Sequence, residues 1–279
     1  MKVIKKIPDM KAAVREYQSQ EKIIGFVPTM GYLHEGHLSL VHASKRKADI
    51  TVVSIFVNPT QFGPREDFRD YPRDFARDTA MLDKEGVDIA FSPEARDMYP
   101  DGYKTYVEVH DLQNKLCGKS RPGHFRGVCT VVLKLLNIVE PDLAFFGQKD
   151  AQQAIILQTM VRDLDRDVQI EVMPIVREAD GLAMSSRNTY LNQAERQAAL
   201  ILMNSLRRAK RNIDKGERNA EVILAGIRNL IAKEPLARID YLEAVETKDL
   251  NPVREITAGT LIALAVFIGK TRLIDNMIV

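Results

Sequence analysis

The first two thirds of this 279-residue chain alternate short apolar runs with amphipathic segments, and this pattern limits the possible folds more than any other feature. Strands buried on both faces read as continuous apolar runs, and parallel strands need helical connections. The pattern therefore predicts an α/β fold with a doubly wound, Rossmann-like parallel sheet. The expected strands are residues 23–29, 50–57, 87–92, 142–147 and 168–175; a loop is expected over 58–72, and helices are expected from about His37 and over 73–86, 128–139 and 150–164.

The pattern changes from Asn192 onward. Two helical segments, residues 193–216 and 219–234, are followed by two strand-like runs, residues 239–246 and 259–269. Helices followed by strands are typical of an α+β unit. We therefore expect a large domain over residues 1–176 and a smaller C-terminal α+β domain over residues 177–279, with the junction inside residues 176–188.

Composition and charge exclude several classes of protein. Hydrophobic residues make up 45% of the chain and charged residues 28%, which argues against disorder, and a net charge of +2 gives no broad basic surface for nucleic acid. The basic N-terminus is not followed by a signal-peptide core, and the longest apolar run, residues 261–268, is too short to cross a membrane. Cys117 and Cys129 are too few for a disulfide framework. We therefore expect a soluble, cytoplasmic protein with no membrane or nucleic-acid partner.

Polar clusters lie at the ends of predicted strands and at the domain junction. Ligands of open α/β sheets bind beyond the carboxyl ends of the strands. Residues that are far apart in sequence should therefore converge at one edge of the sheet. The clusters are TMGYLHEGH (29–37), NPTQF (58–62), GQKDAQQ (147–153) and MSSRN (184–188).

His34 and His37 stand at the predicted strand-to-helix turn of the first cluster. A structural zinc site would need three or four ligands, and the sequence contains no Cys or His cluster that completes one. Gly31 and Gly36 allow close backbone approach, and the amides and dipole of a helix N-terminus favour an anion. The pair therefore predicts a phosphate-binding turn in which the imidazoles donate hydrogen bonds as charge develops. Histidines that merely complete a tight turn remain the alternative.

Two further clusters carry charge and hydroxyl groups. Lys149 offers the point charge that phosphate binding needs, and Asp150 offers an acceptor suited to a ribose hydroxyl. Ser185, Ser186 and Arg187 offer hydroxyl donors and a guanidinium fork that can follow phosphate oxygens. These residues extend the predicted phosphate site across the sheet edge.

Taken together, the motifs resemble those of one enzyme family. HEGH is similar to the HIGH signature of the nucleotidyltransferase superfamily, and MSSRN is similar to its KMSKS signature. MSSRN has serine in place of the second lysine, so the charge there must come from Arg187 and Lys149. The fuller set resembles the pantothenate synthetase (pantoate–β-alanine ligase) family over nearly the whole chain: PTMGYLHEGH, FVNPTQF, YPRD, FFGQKDAQQ and READGLAMSSRN.

The resemblance implies an AMP-forming acid–amine ligase that works as a homodimer. The family joins pantoate to β-alanine using ATP and Mg²⁺. The pantoate carboxylate attacks the α-phosphate to give a pantoyl adenylate and pyrophosphate, and the amine of β-alanine then displaces AMP. Carried over to this sequence, the catalytic residues would be His34, His37 and Lys149, with His37 as the proton donor.

The resemblance also implies which residues bind each substrate. A glutamine tip both donates and accepts, which suits a hydroxy acid. Gln61 and Gln153 are expected at pantoate, and Gln61, with Asn58 beside it, at β-alanine; Gln153 could instead be an exposed helix residue. Magnesium should be held mainly by the ATP phosphates, and Asp78, on the helix after YPRD, is the candidate for an outer contact to it. The expected ATP site comprises Met30, Gly31, His34, Gly36, His37, Gly147, Lys149, Asp150, Val176, Met184, Ser185, Ser186 and Arg187.

Other functions are weaker alternatives. The chain could be another adenylylating nucleotidyltransferase, or a non-catalytic nucleotide- or RNA-binding protein on the same scaffold. An aminoacyl-tRNA synthetase is disfavoured because the chain has no room for an anticodon domain. GKS at residues 118–120 is not a P-loop ending, since Gln113 occupies the first glycine position. The segment RPGHFRG (residues 121–127) also matches the family, but its His124 and Arg126 receive no role; a loop or interface position and contact with substrate both remain open.

Overall fold

The computed structural model describes residues 1–64 and 66–279; position 65, inside the predicted loop 58–72, lies outside the described residues. Over the described residues the chain forms nine strands and nine α-helices, and none of these helices is long and apolar enough to cross a membrane. The strands are β1 (Lys2–Ile4), β2 (Ile24–Thr29), β3 (Ile50–Ile55), β4 (Ile89–Phe91), β5 (Leu143–Gly147), β6 (Gln169–Met173), β7 (Ala237–Glu246), β8 (Thr260–Ile268) and β9 (Thr271–Ile278). The helices are α1 (Ile7–Gln18), α2 (Glu35–Lys47), α3 (Phe75–Lys84), α4 (Ala95–Met98), α5 (Cys117–Ser120), α6 (His124–Val139), α7 (Ala151–Asp163), α8 (Gln193–Asp214) and α9 (Ala220–Ile231).

Strands β1 to β6 form a parallel sheet in the order β1-β4-β3-β2-β5-β6. β2 pairs with β3 from Ile24, opposite Ile50, to Thr29, opposite Ile55, and its other edge pairs with β5. The chain runs outward from β2 through β3 and β4 and then crosses back to β5, so the strand order reverses between β2 and β5. Such a reversal opens a ligand crevice at the carboxyl ends of the strands. The predicted α/β, doubly wound parallel sheet is confirmed.

Helices cover both faces of this sheet, which explains why its central strands are apolar throughout. Every residue of β3 is buried. Phe26 and Val52 face a core shared with α1 and α6, whereas the next residues, Val27 and Val53, face a core shared with α2 and α3. Successive strand residues point to opposite faces, so both faces need apolar side chains.

Some elements were missed by the sequence pattern. β1 has only three residues, two of them exposed, so it forms no apolar run. α1 buries three of its twelve residues, and β9 has mixed burial, so neither shows a strong periodic signal. The helix after β2 begins at Glu35 rather than near His37, because His34 caps it. The short helices α4 and α5 were not predicted either.

The C-terminal part is the smaller α+β unit that the sequence predicts. β7, β8 and β9 form an antiparallel sheet, and Leu202 of α8, Ile227 of α9 and Leu264 of β8 belong to one core cluster. Val245 and Leu261 belong instead to the core of the large sheet, so the two units share packed side chains. A boundary between residues 176 and 177 falls in the connection between β6 and α8 and stays a proposal.

Helix α6 approaches the short 3₁₀ turn after β3 (Pro59–Gln61) very closely. A Cβ atom added at Gly127 would lie 2.3 Å from the backbone oxygen of Thr60 and 2.6 Å from the backbone nitrogen of Gln61. The carbonyl of Gly127 also accepts a hydrogen bond of 3.1 Å from the side-chain amide of Asn58. Because both obstructing atoms belong to backbone, only glycine lets the helix support this turn.

Gly127→Ala should lower the free energy of unfolding by about 1–3 kcal/mol, because a methyl group would push the helix away from the turn. Gly226→Ala is the matched control, since a Cβ at Gly226 in α9 meets no atom of the described residues within 4 Å. That change should raise stability by about 0.5–1 kcal/mol through helix propensity. Urea unfolding followed by circular dichroism measures both, and wild-type stability in Gly127→Ala would contradict the close approach.

Candidate active site

A cavity of about 240 Å³ lies at the point where the strand order reverses. Its walls include residues that follow β2, β3 and β5, together with the segment that connects β6 to α8. The sequence clusters therefore converge, as expected. Of the predicted site residues, those that line the cavity are Met30, His34, Gly36, His37, Asn58, Gln61, Gly147, Lys149, Asp150, Gln153, Val176, Met184, Ser185, Ser186 and Arg187.

Asp78 and Gly31 are the predicted site residues that do not line the cavity; they shape the turn beneath it. The carboxylate of Asp78 is 1% exposed and accepts hydrogen bonds from the backbone amides of Tyr32 (2.6 Å) and Leu33 (2.8 Å). Burial raises its pKa above the usual range. The predicted contact of Asp78 to magnesium is therefore not supported, because the side chain is buried beneath the turn and does not line the cavity. Gly31 has φ +80°, the left-handed region that glycine adopts without strain.

The two histidines cap the start of α2. Nδ1 of His34 accepts a hydrogen bond from the amide of Gly36 at 3.1 Å, and Nδ1 of His37 accepts one from the amide of His34 at 3.3 Å. The rings lie side by side, with their centroids 4.0 Å apart. A neutral imidazole whose Nδ1 accepts must carry its proton on Nε2. Each ring therefore has an Nε2–H donor, and neither donor has a partner among residues 1–64 and 66–279.

The surroundings keep both rings neutral. Burial, and next the positive charge of Lys149, lower the pKa of His34 to about 4. Burial, the adjacent His34 ring and Lys149 lower the pKa of His37 well below its ordinary value. An imidazolium here would lose the Nδ1 acceptor that caps the helix. The arrangement thus offers two neutral hydrogen-bond donors rather than two cations.

Gly36 provides the space for the His34 ring. A Cβ atom at Gly36 would lie 2.9 Å from both Cε1 and Nδ1 of that ring. Any larger residue would displace the ring from the amide that it caps. The glycine that the sequence suggested as a place for close ligand approach therefore also fixes a histidine.

The charged residues after β5 stand on a 3₁₀ turn, Gln148–Asp150, that leads into α7. The side chain of Lys149 is 22% exposed, and its ammonium group lies 3.9 Å from the carboxylate of Asp150. This cation is close enough to influence the pKa of both histidines. Lys149 therefore brings a positive charge to the cavity wall that faces the start of α2.

The MSSR segment (residues 184–187) closes the cavity from the other side. The hydroxyl of Ser186 donates to the backbone oxygen of Tyr32 at 3.3 Å. This contact joins the MSSR segment to the histidine turn, the two segments predicted to bind phosphate. Arg187 makes a bidentate pair with Asp67, in which its Nε and Nη2 atoms each lie 2.9 Å from a carboxylate oxygen. The remaining amino group of Arg187, Nη1, has no partner among the described residues. The guanidinium is thus held in place by Asp67 while it lines the cavity.

The amide-rich side of the cavity is organised by Asn58. This side chain is 1% exposed, and its Nδ2 donates to Oε1 of Gln61 at 3.0 Å. Its Oδ1 accepts from the hydroxyls of Tyr99 (2.8 Å) and Thr60 (3.0 Å). Among the described residues, the Nε2 of Gln61 has only the thioether of Met30 at 3.1 Å, a weak acceptor. Asn58 therefore orients Gln61, whose amide hydrogens are left for a ligand, instead of offering free polar atoms of its own.

The paired glutamines of α7 have different environments. Gln152 is buried and accepts from the amide of Cys117 at 3.0 Å, while its Nε2 donates to the carbonyls of Leu112 (3.0 Å) and Lys115 (2.7 Å). Gln153 instead lines the cavity. Gln153 is half-buried rather than exposed, and its contact with pantoate stays a prediction.

Residues to which the sequence assigned no role hold the backbone carbonyl of Gln61. Nδ1 of His124 lies 2.8 Å from the carbonyl oxygen of Gln61 and can only donate to it, so Nε2 accepts from Arg121 at 3.1 Å. Arg121 is in turn held by both carboxylate oxygens of Glu66. Burial and the Arg121 charge lower the pKa of His124 to about 4. The RPGHFRG motif was a visible signal, but sequence spacing alone could not connect it to Gln61.

Arg126 makes a long ion pair with Glu108 and is absent from the cavity lining.

No cluster of three or more His, Cys, Asp or Glu side chains within residues 1–64 and 66–279 could hold a metal ion. Asp150 is the single carboxylate among the described residues that line the cavity. A magnesium ion in this cavity would therefore depend mainly on oxygen ligands from a phosphate-bearing substrate.

The histidine rings should show two different tautomers. At pH 6, ¹H–¹⁵N spectra of the rings should place the proton on Nε2 in His34 and His37, and on Nδ1 in His124, with all three neutral. Because the pKa values of His34 and His124 fall from 6.5 to about 4 on folding, the folded state binds fewer protons in that range. Stability from these rings is complete above pH 6.5 and is lost as the pH falls toward 4. Doubly protonated rings at pH 6 would contradict the capping arrangement.

Comparison with known sequences agrees with the motifs. The family model described as pantoate-beta-alanine ligase matches residues 2–278. A protein named pantothenate synthetase from Thermosipho africanus is 59% identical over 279 residues, which cover 100% of both chains. A protein of the same name from Caldicellulosiruptor saccharolyticus is 57% identical over 100% of this chain and 99% of its own.

Solved structures agree as well. A pantothenate synthetase from Thermus thermophilus superposes with a TM-score of 0.95 at 42% identity, covering 99% of each chain. A pantoate-beta-alanine ligase from Francisella tularensis, solved in complex with beta-gamma ATP and beta-alanine, has a TM-score of 0.82 at 36% identity, covering 100% of this chain and 97% of that one. By sequence, fold and the arrangement of its cavity, this chain belongs to the pantoate–β-alanine ligase family.

Proposed function

We propose that this chain condenses pantoate with β-alanine, using ATP, through a pantoyl adenylate that is made and consumed in the cavity. The observation that carries the proposal is the placement of two neutral Nε2–H donors at a helix N-terminus, with Lys149 and Arg187 on the surrounding walls. Fixed donors and cations of this kind bind phosphate oxygens and stabilise charge that develops on them.

In the first step, a carboxylate oxygen of pantoate attacks the α-phosphorus of ATP, and the bond to the β-phosphate oxygen breaks. The Nε2–H groups of His34 and His37 would donate to the phosphate oxygens on which charge develops. Lys149 and Arg187 would hold the departing pyrophosphate through direct charge. Because both histidines remain neutral, they supply hydrogen bonds without adding positive charge beside Lys149 and Arg187.

Pantoate fits the amide-rich side of the cavity. Gln61, oriented by Asn58, presents amide hydrogens, and Gln153 presents a second amide. Each tip can donate to the carboxylate or accept from a hydroxyl group of the substrate. β-Alanine would enter beside Gln61 for the second step, in which its amine attacks the acyl carbon and AMP leaves.

The proposal includes a magnesium ion that binds together with ATP. Mg²⁺ prefers oxygen ligands and keeps several waters, so phosphate oxygens can hold it with little help from the protein. Asp150 lines the cavity and could take an outer position. The ion would neutralise phosphate charge that the protein cations leave uncompensated.

Three further properties are part of the proposal, and of these the homodimer rests on the family. The C-terminal unit would act as a lid, because the MSSR segment already touches the loop that carries Asp67. The chain would form a homodimer, which sedimentation measurements test directly. It would work in the cytoplasm, where its two buried free thiols, Cys117 and Cys129, would stay reduced.

The reaction products test the proposed function. With ATP, pantoate and β-alanine, the protein should release AMP, pyrophosphate and pantothenate in equal amounts, as measured by chromatography with mass detection. ADP and inorganic phosphate would exclude adenylate chemistry. A product that retains the nucleotide would favour the alternative, another adenylylating nucleotidyltransferase.

His37→Ala should lower the rate of adenylate formation by about 10²–10³-fold, because it removes one donor fixed at developing charge. His42→Ala is the matched control. It lies on the same helix, is 46% exposed and pairs with Glu85 away from the cavity, so its activity should stay near that of the wild type. Pre-steady-state measurement of pyrophosphate release compares the two, and an active His37→Ala variant would refute the proposed role of this ring.

A further inference from the structure

The last strand of the C-terminal sheet reaches across to the turn that carries Lys149. Asn276 of β9 is 4% exposed, and its Nδ2 lies 2.9 Å from the carbonyl oxygen of Gln148 and 3.0 Å from that of Lys149. Two carbonyl oxygens can be satisfied only by the NH₂ end of the amide, so the orientation of the side chain is fixed. Its Oδ1 then accepts from the side chain of Gln148 at 3.3 Å.

Asp275, the residue before Asn276, holds the bend that leads into the MSSR segment, which is also predicted to bind phosphate. Asp275 is 2% exposed and pairs with both terminal nitrogens of Arg177, at 2.7 and 2.9 Å. Arg177 also donates to the carbonyl of Gly181 at 3.2 Å, within the bend that leads into the MSSR segment. Adjacent residues of a strand point to opposite faces, so β9 can contact the two segments at once.

We propose that Asn276 is a positioning residue for the ATP site: by fixing the backbone of the Gln148–Lys149 turn, it determines where the Lys149 ammonium group stands. This inference rests on the proposed function, since it assigns Asn276 a task only if Lys149 binds phosphate. The turn is a short 3₁₀ element whose carbonyl oxygens accept hydrogen bonds from β9 of the C-terminal unit. Its backbone conformation therefore depends on Asn276.

Asn276→Ala should raise the dissociation constant for ATP about tenfold, because the turn loses two hydrogen bonds that hold it. Asn276→Asp keeps the volume but places carboxylate oxygens against two carbonyl oxygens, so it should weaken ATP binding at least as much. Calorimetry with a non-hydrolysable ATP analogue and Mg²⁺ measures both, and thermal unfolding checks that each variant is folded at the temperature used. If one of the two variants does not fold, the ATP affinity of the other variant tests the proposal.

Asn219→Ala is the matched control for damage to the C-terminal unit. Asn219 caps α9 by accepting from the amide of Val222 at 3.2 Å, and it does not line the cavity to which Lys149 belongs. Its loss should lower the unfolding temperature but leave the ATP dissociation constant within about twofold of the wild type. An equal loss of ATP affinity in Asn219→Ala and Asn276→Ala would show a general structural effect and overturn the proposal.

A double-mutant cycle with Lys149→Ala separates this inference from the proposed function. If Asn276 acts by placing Lys149, adding Asn276→Ala to Lys149→Ala should weaken ATP binding by less than about threefold. An unchanged tenfold effect would overturn the positioning role. If Lys149→Ala binds ATP like the wild type, the proposed site itself fails; if it binds poorly while Asn276→Ala binds normally, only this inference fails.

Discussion

The start of α2 is the feature on which the rest of the site depends. A helix N-terminus has backbone amides without partners, and here two of the amides at this turn are capped by imidazole nitrogens instead of the usual hydroxyl or carboxylate. The capping role fixes the tautomer of each ring and directs the Nε2–H groups away from the helix. Burial and the Lys149 charge keep the rings neutral. A single structural requirement, capping a helix, thereby produces two preorganised hydrogen-bond donors.

Around this helix start, the other groups of the cavity are held by polar side chains from separate parts of the chain. Asp78 fixes the turn before the histidines, Asn58 orients Gln61, and Asp67 holds Arg187. Asp78 and Asn58 are buried polar groups that these contacts satisfy, whereas Asp67 and Arg187 are half-buried, and each contact helps to set the position of a group at the cavity. Groups fixed in this way need no rearrangement as charge develops on a substrate, which is the condition for electrostatic catalysis.

The sequence predicted much of the fold because the relevant signals are local. Apolar runs such as residues 50–57 mark strands buried on both faces, and the confirmed α/β sheet follows from them. The family was also predicted correctly, since its motifs are specific when taken as a set. The cavity lining followed from the rule that parallel strands end at one edge of a sheet.

The supporting contacts could not be predicted because they join single polar residues that are distant in sequence. Asn276 lies in a strand of mixed burial, where a polar residue ordinarily faces solvent. Asp78 resembles any acidic residue in the first turn of a helix, so its position suggested a magnesium contact, whereas it is buried beneath the histidine turn. His124 was visible in a motif, but its partner is a backbone carbonyl 63 residues away, which leaves no trace in the sequence.

If the cavity directs pantoate to the α-phosphate of ATP, as its fixed donors and cations indicate, the transfer of an isotope label will reveal it. Pantoate labelled with oxygen-18 in its carboxylate should pass one labelled oxygen to AMP and leave pyrophosphate unlabelled, because the carboxylate oxygen that attacks phosphorus departs with the nucleotide. Label found in inorganic phosphate, with ADP as the other product, would contradict attack at the α-phosphate and the roles proposed for the residues around it.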